Sequence, residues 1–294
     1  MTDIISFTQA EGVPLFPVQK VILKAIYGIP LDDVATFTVT DWRRENPRQF
    51  TERAYLEYLY STGHSSIREV VPGHLYQEVV LCAGLRSGKD SMIASLAAYE
   101  VLRLTSMDRN VDKSRIPPGV GITLVSSDNI EGLRGNVEMV FRGSPSLQGK
   151  SCPGPGGLWF GVPGPRDTPL VKVIFRRGTK VWKASSSGLV VLDDAAFCAN
   201  ARDIYFALAP ATVGCIPGGK FVMVSAPNGR EGFFYEEFMR GMTRHRDSVL
   251  SLQIPTWEIN PTIPSEVFKT FHDADPVRFF EDYGAEWTVR GDTA

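Results

Sequence analysis

Cysteine is scarce in these 294 residues, and the four present, Cys82, Cys152, Cys198 and Cys215, show no metal-ligand spacing. Cys82 and Cys198 stand in apolar contexts and read as reduced small hydrophobes, the usage of a cytoplasmic protein. Long hydrophobic runs are also lacking. The early Val18–Ile26 run is broken by Lys20 and Lys24, so neither a membrane span, a signal peptide nor an anchor is visible. Net positive charge is missing too: the formal charge is −2. That excludes a uniformly basic nucleic-acid binder but leaves room for a local basic channel, because a field depends on where the charges sit. What remains, 43% hydrophobic and 22% charged, is a globular composition with enough chain for one large α/β core or two modest ones.

The rest of the chain is organised around residues 78–104. Glu78 to Ala83 is an apolar, β-branched run that predicts a buried strand. Ala83-Gly-Leu-Arg-Ser-Gly-Lys89 then follows the plan of a phosphate loop, with Ala83 where a glycine usually opens it. Such a loop needs a strand, a turn of exposed backbone N–H groups and a helix N-terminus aimed at one point. Gly84 and Gly88 permit close backbone approach, Ser87 lies within the turn, and Lys89 reaches the β- and γ-phosphates. Met92, Ile93, Leu96, Ala97, Val101 and Leu104 supply the helical spacing that comes next. A Gly-Lys pair alone is common; this strand–loop–helix setting makes nucleotide binding the better reading. The residue after the lysine, normally Ser or Thr on magnesium, is Asp90, with Ser91 one place late. Either Asp90 takes the metal, directly or through water, or Ser91 substitutes.

Upstream, residues 14–28 predict a short helix with Pro17 near its start and Gly28 at its end. Gln19 in its first turn is either a solvated polar residue or a glutamine that contacts adenine. A second amphipathic helix is predicted over Pro47–Thr62, with Phe50, Ala54, Tyr55, Tyr58 and Leu59 as its stripe. Downstream, a polar segment (106–119) leads to a core strand from Val120, and Asp128 or Asn129 caps a helix to about Phe141. Strand–helix–strand–helix order implies a parallel sheet with right-handed crossovers. The Gly- and Pro-rich residues 143–169 read as a long surface loop or flap. Leu170–Lys183 reads as a hairpin turning at Arg177-Gly178. Its Arg176, Arg177, Lys180 and Lys183 form either a solvated face or a phosphate-backbone contact.

Gly188-Leu-Val-Val-Leu-Asp-Asp predicts a strand ending in paired carboxylates, the second element of a nucleotide site. Asp193 would hold the magnesium water shell and Asp194 would polarise the attacking water; the bland alternative is an Asp pair capping the next helix. A helix near 201–208, a strand over 220–225, a helix over 231–242 and a strand over 248–254 follow. Ser225, Pro227 and Asn228 leave a strand end where open α/β sheets bind ligands, or they simply form a turn. His245-Arg-Asp mimics a kinase triplet without its other elements and is discarded.

Taken together, Phe16-Pro-x-Gln19, the phosphate loop, Leu192-Asp-Asp-Ala-Ala-Phe197, Val224-Ser-Ala-Pro-Asn-Gly229 and Phe233-Phe-Tyr-Glu-Glu-Phe238 stand in a specific order. Pro255-Thr-x-x-x-Asn-Pro261 and Asp275-Pro…Phe279-Phe-Glu-Asp-Tyr-Gly-Ala-Glu-Trp287 close it. From about residue 14 to Trp287 the chain resembles the ATPase portion of the large terminase subunit of tailed bacteriophages. The resemblance implies an ASCE-type, RecA-like P-loop fold: a mostly parallel central sheet flanked by helices. It also implies ATP and Mg2+ as cofactors, and double-stranded DNA, the portal protein, the small terminase subunit and further copies in a ring as partners. No membrane partner is implied, and the setting is the cytoplasm of an infected bacterial host. Position by position, Gln19 becomes the adenine glutamine, Lys89 the phosphate lysine, Asp193 the magnesium aspartate and Asp194 the catalytic carboxylate. Ser225 and neighbours such as Asn228 become the γ-phosphate sensor, Arg86 an arginine acting in cis, and Arg134 an arginine reaching a neighbouring subunit.

Two departures stand out: Asp where the family commonly has Glu at 194, and no nuclease domain after Glu286-Trp287. The expected organisation is an N-terminal helical segment (1–75), an ATPase core (76–255) and a lid or linker (256–294), without nuclease activity. The leading function is ATP-driven DNA packaging. The alternatives are another helicase-like ASCE ATPase, against which the additional helicase motifs and a second RecA-like domain are missing, and a weakly hydrolysing nucleotide-binding module.

Overall fold

The computed structural model describes residues 2–107, 119–127, 129–161, 169–183, 186–215, 218–243 and 248–289. The first half runs α1 (Ile4–Ala10), α2 (Pro17–Tyr27), β1 (Thr36–Val39), β2 (Arg48–Thr51), α3 (Glu52–Ser61), β3 (Glu78–Ala83), α4 (Lys89–Ser106), β4 (Val120–Ser126) and α5 (Ile130–Gly143). The second half runs β5 (Ser151–Gly154), β6 (Gly157–Phe160), β7 (Val171–Arg177), β8 (Ser187–Asp193), a 3-10 turn (Ala195–Phe197), α6 (Ala201–Val213), β9 (Lys220–Ser225), α7 (Gly232–Thr243) and β10 (Val249–Ile254). Three short helices end it: α8 (Thr256–Ile259), α9 (Ser265–Ala274) and α10 (Pro276–Asp282).

Among the described residues one eight-stranded sheet has the order β10-β3-β9-β8-β4-β7-β6-β5. The pairs β10–β3, β4–β7 and β4–β8 are parallel, and β5–β6 and β6–β7 antiparallel. β4, β8, β9 and β10 are buried along their whole length, as both-face-covered strands of a parallel sheet must be, which explains their unbroken apolar runs. This is the mostly parallel α/β class expected from the sequence. A separate two-stranded sheet pairs β1 with β2, antiparallel.

The chain divides into two compact units: residues 1–14 with 90–223, and residues 15–89 with 224–294. In the first, β4 and β8 carry Ile122, Leu124 and Leu189–Leu192, all fully buried, and α4 contributes Met92, Ile93, Leu96 and Val101. Phe141 of α5 meets Phe160 of β6 edge-on at 5.2 Å. In the second, α7 packs on β3 and β10, and Trp287 lies against Phe234, Tyr235 and Phe238. A further aromatic cluster joins Trp42, Trp257, Phe268 and Phe279.

Three expectations need correction. The helix predicted from Pro47 starts only at Glu52, because residues 48–51 pair with β1; Phe50 is therefore a strand residue, and Thr51 caps α3 by accepting the Ala54 N–H at 3.2 Å. The 170–183 hairpin is half right: β7 is a strand, but its partners are β4 and β6, and residues 180–183 form no strand. Within the predicted flap, β5 and β6 form an antiparallel hairpin that extends the sheet. Gly157 fits there because an added Cβ would strike the carbonyl of Val173. Asp128 and His245–Asp247, with most of the 106–119 segment, lie outside the described residues. Among the described residues no helix is long and apolar enough to cross a membrane.

Candidate nucleotide-binding site

In the unit of residues 15–89 and 224–294, β3 ends at Ala83 and α4 begins at Lys89. Between them Arg86 (φ 64°) and Gly88 (φ 85°) are left-handed. Such alternation turns successive N–H groups toward one concavity, the geometry of an anion nest, at the positive end of a helix dipole. The Leu85 N–H is already committed to the Asp282 carbonyl at 2.6 Å and the Ser87 N–H to Gly84 at 3.3 Å. Among the described residues neither Arg86 nor Gly88 spends its N–H on a carbonyl. Ser87 is fully buried and its hydroxyl has no partner. A buried orphan donor in an N–H-lined turn fits a phosphate group. Lys89 is buried at the helix start.

Gly84 is also closely packed. An added Cβ would collide with the Thr256 hydroxyl and stand 2.5 Å from the Tyr283 carbonyl, so the glycine lets the loop seat against α8 and the turn after α10. That seat is a set of hydrogen bonds the sequence reading did not anticipate. Thr256 Oγ1 donates to the Leu85 carbonyl at 2.8 Å and Asn260 Nδ2 to the Arg86 carbonyl at 2.9 Å. Both residues belong to the Pro255-Thr-x-x-x-Asn-Pro261 stretch, whose regular spacing was the available signal. The seat is itself anchored: the Tyr55 hydroxyl donates to Glu258 at 2.6 Å, and burial raises that carboxyl above its ordinary range. Arg44 donates to the carbonyls of Trp257 and Ile263.

Gln19 is buried rather than solvated. Its Oε1 accepts the Phe16 N–H at 3.0 Å, closing the first turn of α2. Its Nε2 faces the loop, since a Cβ on Gly88 would come within 2.8 Å of it. Ser225 is buried at the end of β9 and Asn228 is half-buried in the turn beyond. The neighbouring Gly229 N–H donates to Glu281 of α10 at 2.6 Å. Arg86 itself is exposed.

In the unit of residues 1–14 and 90–223, Asp90 sits in the first turn of α4, where a carboxylate suits the dipole. Asn136 of α5 donates to its Oδ2 at 3.4 Å; no sequence signal pointed to Asn136. Ser91 is exposed and its carbonyl accepts from Ser95 Oγ at 2.8 Å. Asp193 closes β8 almost fully buried. Asp194 follows in a left-handed conformation (φ 52°, ψ 40°) and makes no side-chain capping bond to the 3-10 turn. These carboxylates are hard oxygen donors of the kind that hold magnesium with water. Arg134 on α5 pairs with Glu138 at 2.7 Å, a bond that raises its already high pKa, and lies over the Phe175 ring at 5.6 Å.

No described protein family and no curated protein matches the sequence. Solved structures do. The large terminase ATPase domain of Thermus phage P74-26 aligns over 72% of this chain and 89% of its own, with a TM-score of 0.55 at 18% identity. The large terminase of bacteriophage HK97 aligns over 97% of this chain with a TM-score of 0.61 at 11% identity, and the match spans 54% of that protein. The chain has the fold of large terminase ATPase domains.

Proposed function

We propose that this chain is the ATP-hydrolysing motor domain of a phage terminase large subunit, coupling turnover to movement of double-stranded DNA into a procapsid. One observation carries the reading: a left-handed N–H nest with an orphaned buried hydroxyl, set at the start of an 18-residue helix, in a fold shared with large terminase ATPase domains. In this reading the nest and Lys89 bind the β- and γ-phosphates, Ala83, Gly84, Ser87 and Gly88 shape the cradle, and Gln19 contributes on the adenine side. Asp193, with Asp90 or Ser91, holds the magnesium water shell; the metal, when bound, neutralises developing phosphate charge. Asp194 orients water, Ser225 and Asn228 sense the γ-phosphate, and Arg86 and Arg134 stabilise charge. DNA, portal, small subunit and ring assembly in the infected host's cytoplasm follow from the same reading.

Asp90 in the usual hydroxyl position, held by Asn136, favours one competitor: a nucleotide-binding module with little turnover. ATP turnover with and without double-stranded DNA separates the two. The motor reading expects DNA-stimulated hydrolysis, abolished in Lys89→Ala because the lysine charge meets the phosphates. Unchanged turnover in a folded Lys89→Ala protein would remove the proposal.

A further inference from the structure

Far from the carboxylate end of β8, at its opposite end, one face of the sheet carries a second polar cavity. Ser187 and Asp193 are the two ends of β8, six residue steps or about 20 Å apart along the strand. Register places Gly121 beside both Lys172 and Ser187, and Thr123 beside Ile174. With period-two alternation, Lys172, Ile174 and Arg176 therefore share the face of Gly121 and Thr123. The cavity there measures about 170 Å³ and is lined by Lys172, Arg176 and Lys183 and, among the described residues, by no carboxylate.

Two observations show that this is more than a solvated charge cluster. The hydroxyls of Ser186 and Ser187 are buried, line the cavity and have no hydrogen-bond partner. Gly121 leaves the space between hydroxyls open: a Cβ there would come within 3.1 Å of Ser187 Oγ and 3.6 Å of Thr123 Oγ1. Two of the cations lie over aromatic rings. Arg176 lies 5.6 Å from the Trp182 ring centre and Lys172 5.6 Å from that of Trp159. Among the described residues no carboxylate pairs with any of the three cations.

Water alone would satisfy the hydroxyls; three cations at the same hollow, with no carboxylate partner among the described residues, favour an anion there. Convergent hydroxyls and cations are what a tetrahedral oxyanion requires, since each lone pair finds a donor and the charge is met. We infer that this cavity is a phosphate-binding site, separate from the phosphate loop. The same chemistry is offered by inorganic phosphate and by a backbone phosphodiester of nucleic acid. The half-exposed indoles beside the cations suit a strand running across the sheet face.

The test uses the whole chain carrying Lys89→Ala, which disables the phosphate loop as a competing site, with tryptophan fluorescence as readout. Inorganic phosphate should give a saturable change that disappears in Trp182→Phe. Lys172→Gln with Arg176→Gln should weaken binding by at least about tenfold, since each charge-assisted bond is worth a factor of that order. Ser187→Ala, which keeps the fold's volume and charge, should weaken it measurably. A short DNA duplex that displaces phosphate in a salt-dependent manner identifies the backbone phosphodiester as the source; failure to displace identifies the free anion. No saturable response, or one equal in all variants, would overturn the site and leave the cavity to water.

Discussion

Asp194 shows how backbone geometry chooses a side chain. Left-handed backbone costs an L-residue roughly 1–2 kcal/mol, and Asp and Asn bear it better than longer side chains because they bond locally. At φ 52° the preference for Asp over the Glu expected from the resemblance has a local cause. Asp194→Asn keeps that backbone preference and the volume, so stability and ATP affinity should hold while turnover collapses. Asp194→Glu should retain turnover but unfold earlier, by about 1 kcal/mol in urea titration. Full turnover in Asp194→Asn would return the residue to a structural role. Lys220 gives a test independent of catalysis. It is 1% exposed, donates to the Gly218 carbonyl at 3.0 Å and lies 4.0 Å from Glu100, which Arg103 also engages. Burial lowers its pKa from 10.5 to about 8. The native state thus releases this proton before the unfolded chain does, so stability contributed here rises with pH from about 8 to 10.5. One pKa unit corresponds to about 1.4 kcal/mol, which bounds the gain at about 3.5 kcal/mol. Urea unfolding at pH 7.5 and 9.5 should show a rise in the wild type that Lys220→Met lacks.

At the scale of elements, the sequence was legible where one local force dominates. Pro17 and Gly28 bracket α2, Asn129 caps α5 by accepting the Gly132 N–H, and the apolar runs of β3, β4, β8 and β9 are buried strands. It failed where a long-range partner decides. Residues 48–51 leave the helical pattern because β1 supplies a ladder, and residues 151–160 form a hairpin because β7 offers an edge. The loop at 83–89 was visible as a motif, but its seat was not, since Thr256 and Tyr283 are distant in sequence. That seat yields a prediction. Thr256→Val preserves shape and removes the bond to the Leu85 carbonyl, so about 1 kcal/mol of stability and part of the ATP affinity should go. Gly84→Ala should be far worse, because the Tyr283 carbonyl in its way is backbone and cannot rotate aside. Calorimetric ATP binding by both variants checks the order; wild-type affinity in Gly84→Ala would refute the packing role of that glycine.

On the scale of the whole molecule, each compact unit draws on two distant stretches of chain, so no linear segment shows it. The stretch ending at Trp287 is built into the unit of residues 15–89 and 224–294, where Arg230 donates to the Trp287 carbonyl at 3.0 Å. Assembly can be approached through Arg134. It is partly exposed, and its partner Glu138 also receives Arg142 at 2.8 Å. Withdrawing Arg134 therefore leaves Glu138 paired, and an exposed pair of this kind is worth only about 0.2–1 kcal/mol. Exchanging so weak a pair for a contact with a neighbouring copy would cost little. If it does, turnover per chain should climb with protein concentration, and Arg134→Ala should abolish the climb while leaving the dilute basal rate. Arginines supplied in trans are worth about 10³–10⁵ in rate in well-studied GTPases, so the difference should be large once copies associate. Arg86→Ala should depress turnover at every concentration, because that residue is part of the loop itself. Specific activity that stays flat from dilute to concentrated protein, and is unchanged in Arg134→Ala, would assign all charge stabilisation to the cis arginine.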